Sequence, residues 1–259
     1  MQEDAKMRVE FIIHPQYAHL SEFVLSLPES FDSLAKAAVL RDVRNVTKAV
    51  KVNGIRLVIK SYRHISWLNR RAYGTMRESK AMRAYHYAER LTALGIGTPR
   101  PIAAIDCFSG EVLVNSFFVS LYTDYVSADV VNRYPDDAEQ LCPLMDSVAG
   151  FIVRLHACGV LHHDLNLSNI LFYKNSRGEY DFQVIDINRM SFKRRLTTRQ
   201  RIENLSTLAC SPAAYAYILH RYALLSKIPE QRFEMQGLLS RLMRDRRKTI
   251  HNALKTRKK

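Results

Sequence analysis

Residues 162–169 read HHDLNLSN, and they stand between an apolar, helix-like run that ends at Gly159 and a stretch, ILFYKN, that reads as a β-strand. An Asp and an Asn five positions apart, held in a short loop between two regular elements, put two oxygen-bearing side chains where the scaffold can fix them. Downstream, DFQVID makes a second hairpin pattern with ILFYKN around NSRG, and its last residue, Asp186, ends a strand 22 residues beyond Asp164. Upstream, the strand pattern LVIK closes on Lys60.

These residues belong together chemically. Phosphoryl transfer from ATP needs a cationic side chain and a divalent cation against the phosphates, oxygen ligands for that cation, and a base for the acceptor hydroxyl. Lys60, Asn169 and Asp186, and Asp164 supply one candidate for each part.

The rest of the chain is organised around them. RVEFII (8–13) reads as a short strand, and SEFVLSLPESFDSLAKA as a helical or mixed segment broken at Pro28. RNVTKAVKVNGIRLVIKSY reads as two antiparallel strands joined at Asn53-Gly54, the strongest short hairpin signal. Residues 76–94 carry helix formers with Met82, Tyr85 and Leu91 on one face, stopped by Gly95, Gly97, Pro99 and Pro101. EVLVNS and FFVSLYTDYV read as two further strands, so the first half is strand, strand, helix, strand, strand. A long helix follows from about Asp136 to Cys158, and after Thr197 helix formers dominate, with a break at Ser211-Pro212.

HHDLNLSN resembles the catalytic loop of the protein-kinase-like superfamily, His-x-Asp, four residues, Asn. Within it, GVLHHDLNLSNILF followed by VIDINR is most similar to the lipopolysaccharide kinases, including Kdo kinase and the core heptose kinase; Asn166 matches the Asp-Leu-Asn of Kdo kinases. The resemblance spans roughly residues 41–195. It implies an α+β, bilobal protein-kinase-like fold: an N-terminal lobe over 1–123, a small antiparallel sheet with one main helix that binds nucleotide, and a mostly helical C-terminal lobe over 124–259.

The resemblance also implies roles. Asp164 is the base, with Asn166 beside it as a second catalytic residue; Asn169 and Asp186 hold Mg²⁺; Lys60 reaches the phosphates of ATP. Period-two alternation puts Val58 on the face of Lys60, against adenine. His162 braces the loop. His163 replaces an Arg that many protein kinases use to sense a phosphorylated loop, so that mode of activation is not expected. No glycine occurs between Arg41 and Asn53, where the family's phosphate loop lies, which leaves phosphate contact to Arg44 and Asn45. Ala84 occupies the position of the helix Glu that pairs with the strand Lys, with Glu89 or Glu78 as substitutes.

Composition bounds the function. A chain of 259 residues that is 47% hydrophobic buries a full core. Its four cysteines are scattered without a metal-binding or redox spacing, which fits a reducing compartment. The start MQEDAKMRVEF is no secretory signal, and no run approaches a membrane span. The net charge is +14, and the last nineteen residues hold nine Lys or Arg against the single Asp245. A second basic cluster, Lys193, Arg194, Arg195, Arg199 and Arg201, follows Asp186 closely; Arg194 and Arg195 are the candidates to face an anionic substrate.

Only 73 residues follow Asp186 and Ala-Pro-Glu is missing, so a small or lipid-linked acceptor suits the chain better than a peptide. The leading expectation is an ATP-dependent sugar kinase of the lipopolysaccharide inner core, acting on Kdo or heptose. It would be cytoplasmic and peripheral at the inner face of the cytoplasmic membrane, in contact with anionic glycolipid and an anionic surface. The alternative is an atypical protein kinase or ATPase of the RIO kind bound to RNA or a ribosomal partner, which keeps nucleic acid open as a partner. A nucleotide-sensing scaffold is a third, motivated by the missing glycines.

Overall fold

The computed structural model describes residues 7–34, 38–42, 45–63, 77–133 and 138–256. The chain divides into two compact units, Met1–Asp124 and Tyr125–Lys259.

The first unit is built on a six-stranded sheet: β1 (Met7–Ile13), β2 (Ala38–Asp42), β3 (Val46–Val52), β4 (Ile55–Ser61), β5 (Pro101–Ser109) and β6 (Val112–Leu121), in the order β1-β5-β6-β4-β3-β2. Every neighbouring pair is antiparallel. Asn53 and Gly54 both take positive φ, 50° and 82°, as a two-residue hairpin turn between twisted strands requires. One face of the sheet packs on α1 (Ser21–Ser30) through Leu20, Val24, Leu27 and Phe31 against Leu57, Ile59, Ile105 and Val119. On the other face lies α2 (Lys80–Ala93), whose Ser79 accepts the Met82 N–H at 3.0 Å as N-cap. The buried positions of α2, Ala81, Ala84, Tyr85, Ala88 and Leu91, recur at helical spacing. Lys48, buried in β3, donates to the carbonyls of Phe31 (2.7 Å) and Asp32 (3.1 Å) and so clips the end of α1 to the sheet.

Two sequence expectations need correction here. EVLVNS and FFVSLYTDYV are not two strands: residues 112–121 form the single strand β6. Its partner β5 is buried at eight of its nine positions, so it carries no alternating pattern to read. α1 continues through Pro28 to Ser30, because a proline in the last turn removes one bond while Val24 and Leu27 stay anchored in the core. Residues 7–30 belong to this unit, β1 as a strand of its sheet and α1 as cover for one face.

In the second unit, α3 (Val130–Arg133) precedes the long α4 (Ala138–Ala157), which packs against α6 (Pro212–Ser226). α5 (Thr198–Leu205) and α7 (Glu230–Thr256) complete the helical part; Tyr222 of α6 stacks on Phe233 of α7 with ring centroids 5.4 Å apart. Two small sheets carry the loops of interest: β9 (Ile170–Lys174) between β10 (Tyr180–Val184) and β7 (Val126–Ser127), and β8 (Val160–His162) paired with β11 (Met190–Phe192). Phe151 of α4 stacks on Phe182 of β10 at 5.1 Å, fixing the hairpin to the helix.

Gly159 sits where α4 turns into β8, at φ +73°, and its carbonyl accepts the Lys193 N–H at 2.9 Å. A Cβ there would lie 1.8 Å from the Lys193 carbonyl oxygen, with no flexible atom able to yield. Gly159→Ala is therefore expected to cost more than about 3 kcal/mol of stability or to prevent folding. Gly178→Ala, at φ +81° with nearest neighbour 3.9 Å away, should cost only about 1 kcal/mol in the same urea titration.

Candidate active site

His162 ends β8 with its side chain buried, and both ring nitrogens are used. Nδ1 accepts the Asp164 N–H at 3.1 Å, while Nε2 donates to the Ile185 carbonyl at 2.9 Å. These bonds require a neutral ring with its proton on Nε2, and burial pushes its pKa down accordingly. Asn169 lies in a 3₁₀ turn, Leu167–Asn169; its Nδ2 donates to the Asp164 carbonyl at 2.9 Å and its own carbonyl accepts the Ile185 N–H at 3.0 Å. Four hydrogen bonds thus lock the segments bearing Asp164, Asn169 and Asp186 to one another. The Nδ2 contact leaves Asn169 Oδ1 directed elsewhere as an acceptor.

Asp186 lies two residues past the end of β10, not on it, in the left-handed conformation, φ 59° and ψ 35°. Asp and Asn are the residues besides glycine that take this conformation most readily, still at some cost in backbone energy. Asn166 Oδ1 is buried and has no hydrogen-bond partner among the described residues. A buried acceptor without a partner, two positions along the chain from Asp164, is the kind of atom a bound group satisfies.

A second layer holds the loop from behind. Asn204 of α5 donates from Nδ2 to the His162 carbonyl at 2.7 Å, and the Thr207 hydroxyl donates to the Leu165 carbonyl at 2.7 Å. Asn204 Oδ1 accepts from His156 Nε2 at 3.0 Å, and His156 Nδ1 accepts from the Tyr222 hydroxyl at 2.8 Å. Arg201 donates to that same hydroxyl at 3.2 Å. Burial lowers the His156 pKa to about 4, so the ring is neutral in the folded protein.

The other sequence-derived candidates fall as follows. In the first unit, Val58 and Lys60 share one face of β4. Lys60 is in register with Phe118, which packs against Tyr85 of α2, so both lie on the α2 side of the sheet. Asn45 precedes β3 with its Oδ1 buried and unpartnered among the described residues; Arg44 lies outside them. Ala84 is buried, Glu78 is bonded to His86, and Glu89 is exposed.

In the second unit, Arg194 and Arg195 are exposed just beyond β11. The rest of that basic cluster is partly spent: Arg199 pairs with Glu203 at 2.8 Å, and Arg201 turns inward to Tyr222. His163 is exposed beside Asp164 and bonded to Ser191 Oγ at 2.9 Å; partial burial, then the fields of Arg189 and Lys193, lower its pKa.

The sequence profile of the Lipopolysaccharide kinase (Kdo/WaaP) family matches residues 43–222, most of the chain and all of the loop described above. The chain belongs to that family. It is accordingly an ATP-dependent lipopolysaccharide kinase. Among solved structures, WaaP in complex with acyl carrier protein is similar at a TM-score of 0.61 and 17% identity, over 92% of this chain and 97% of that one. That likeness shows the protein-kinase-like fold. A search of curated proteins finds no match. The family favours the lipopolysaccharide reading over a protein kinase or ATPase of the RIO kind.

What the sequence reading of this lipopolysaccharide kinase missed is the layer made by Asn204, Thr207, His156 and Tyr222. Its partners are 42 to 66 positions apart and follow no periodicity. The signal that existed was weak: a His and an Asn, polar residues, on otherwise apolar helix faces.

The neutral His156 makes stability depend on pH. An unfolded His binds a proton near pH 6.5 and the folded one near 4, so as pH falls from 6.5 the unfolded chain gains protons first. The contribution is whole above pH 6.5, falls toward pH 4, and amounts to about 3 kcal/mol in total. Between pH 7 and pH 5, urea titrations should show the wild type losing about 2 kcal/mol more stability than His156→Gln. Equal losses would show that the imidazole is not held neutral.

Proposed function

We propose that this kinase phosphorylates a hydroxyl of Kdo or heptose in the lipopolysaccharide inner core by in-line transfer from ATP. The observation that carries this reading is the locking of the Asp164, Asn169 and Asp186 segments to one another through His162 and Ile185. Asp164 accepts the proton of the attacking sugar hydroxyl. Asn169 Oδ1 and the Asp186 carboxylate form an all-oxygen pair that suits Mg²⁺, a cation that takes few protein ligands and shares the rest with phosphates. When bound, the cation neutralises charge on the phosphate oxygens.

Asn166, whose Oδ1 is buried without a partner among the described residues, serves as a second catalytic residue of the loop. Lys60 contacts the phosphates, and Val58, on the same face of β4, lies against adenine. Asn45 and Arg44 take the place of glycine backbone at the phosphate loop. Arg194 and Arg195 meet the anionic groups of the acceptor.

Asp164→Asn should lower phosphate transfer by about 10² to 10⁴ while ATP binding persists. The assay is phosphate incorporation into purified Kdo-lipid A beside generic protein substrates, and label appearing on protein alone overturns the substrate. Mass spectrometry of core oligosaccharide from cells with and without the gene separates Kdo from heptose.

The proposed site of action is supported by α7. Among the described residues no helix is long and apolar enough to cross a membrane. α7 instead exposes Met235, Leu239, Leu242, Ile250 and Leu254 along one side, each at least 47% accessible. Beside it, between α5 and α7, runs a groove of about 920 Å³ lined by Arg199, Arg232, Arg244 and Arg247. Arg244 Nη1 is buried there without a partner among the described residues.

We take the occupant of this face to be the anionic bilayer that carries the glycolipid, at the inner face of the cytoplasmic membrane. The full chain should co-sediment with vesicles containing anionic lipid, and salt should weaken it. Failure to bind vesicles, with tight binding of an acyl carrier protein such as accompanies WaaP, would overturn that assignment.

A further inference from the structure

Among the described residues, β1 gives one side to β5 and leaves the other without a partner strand. Outward-pointing N–H and C=O groups along Met7–Ile13 are thereby open to pairing. The side chains of β1 divide by parity. Ile13 packs into the α1-side core, and Phe11, Val9 and Met7 continue its row outward at 50%, 38% and 57% exposure. On the opposite face stand Arg8 and Glu10, 3.4 Å apart with side chains 54% and 52% exposed.

The order of these residues is self-complementary. Outward from Val9 in either direction comes a charge and then a large apolar side chain, and the two charges are opposite in sign. We propose that β1 pairs antiparallel with β1 of a second copy of this chain, about a two-fold axis at Val9. In that register Arg8 of each copy faces Glu10 of the other, Met7 faces Phe11, and Val9 faces Val9. The two rows of exposed apolar residues then merge on one face of a continuous sheet.

Alternative registers fail for stated reasons. A slip of one residue sets the apolar row of one copy beside the charged row of the other. A slip of two sets Arg8 against Arg8, or Glu10 against Glu10. Charges on an edge strand ordinarily prevent pairing; here their order permits one register and rejects its neighbours. The paired segment is short, so the dimer is weak and concentration-dependent.

Sedimentation velocity of the full chain over a concentration series tests this. The wild type should show a reversible monomer–dimer equilibrium. Arg8→Glu and Glu10→Arg should each, alone, raise the dimer dissociation constant on the order of 10- to 100-fold, since each sets like charges against each other twice. An equimolar mixture of the two variants should recover a dimer at least as tight as the wild type, because two Glu of one copy then face two Arg of the other.

Restoration by mixing excludes a folding defect in either variant, and circular dichroism of each verifies it. A wild type that stays monomeric throughout, variants that dimerise as well as the wild type, or a mixture no better than its components would each overturn the proposal. Kinase activity is not read, so the outcome is independent of the proposed reaction.

Discussion

The loop 162–169 runs through a turn where the backbone has few regular neighbours, and every buried N–H and C=O in it must still find a partner. The structure answers these groups with side chains. The carbonyls of His162, Asp164 and Leu165 accept from Asn204, Asn169 and Thr207, and the Asp164 N–H donates to His162. Each partner is electrically neutral: two amides, a hydroxyl and an imidazole that burial keeps unprotonated. The loop backbone is therefore held by uncharged groups, and the cation of the layer behind it, Arg201, bonds the Tyr222 hydroxyl rather than the loop itself. For the proposed phosphoryl transfer, such neutral support adds no charge on the loop's own backbone partners to oppose the carboxylates of Asp164 and Asp186.

In the first unit, placement comes from the sheet instead. β4 is hydrogen-bonded on both sides, to β3 and β6, so the direction of Lys60 is set by register and not by a local turn. α1 covers one face and α2 the other, which leaves Val58 and Lys60 on the α2 side and sends Leu57 and Ile59 into the α1-side core. The small side chains Ala81, Ala84 and Ala88 let α2 lie close to the strands. Ala84, where family relatives are expected to carry a Glu, thus serves the packing of the helix.

The parts legible in the sequence were those whose signal is local. Asn53-Gly54, the Gly95 stop after a helical face, Gly159 at a helix end and HHDLNLSN itself each act within a few residues of chain. β5 is not legible because burial on both faces removes the alternation that marks a strand, and 112–121, expected as two strands, is one. The break expected at Pro28 did not occur because tertiary anchoring of Leu27 outweighs one lost hydrogen bond. The support of the loop by α5 and α6 was illegible for a different reason: it joins residues far apart in the chain, and their identities, Asn, Thr, His and Tyr, are common in unrelated roles.

The left-handed backbone at Asp186 sets two demands against each other. Glycine would adopt that φ and ψ without the penalty a side chain incurs, so the chain would be easier to fold with glycine there. It would then lack the carboxylate proposed to hold the cation. The position thus trades conformational ease for charge, and a library selected only for thermal resistance would drift toward glycine at 186 and toward a well-folded, inert protein.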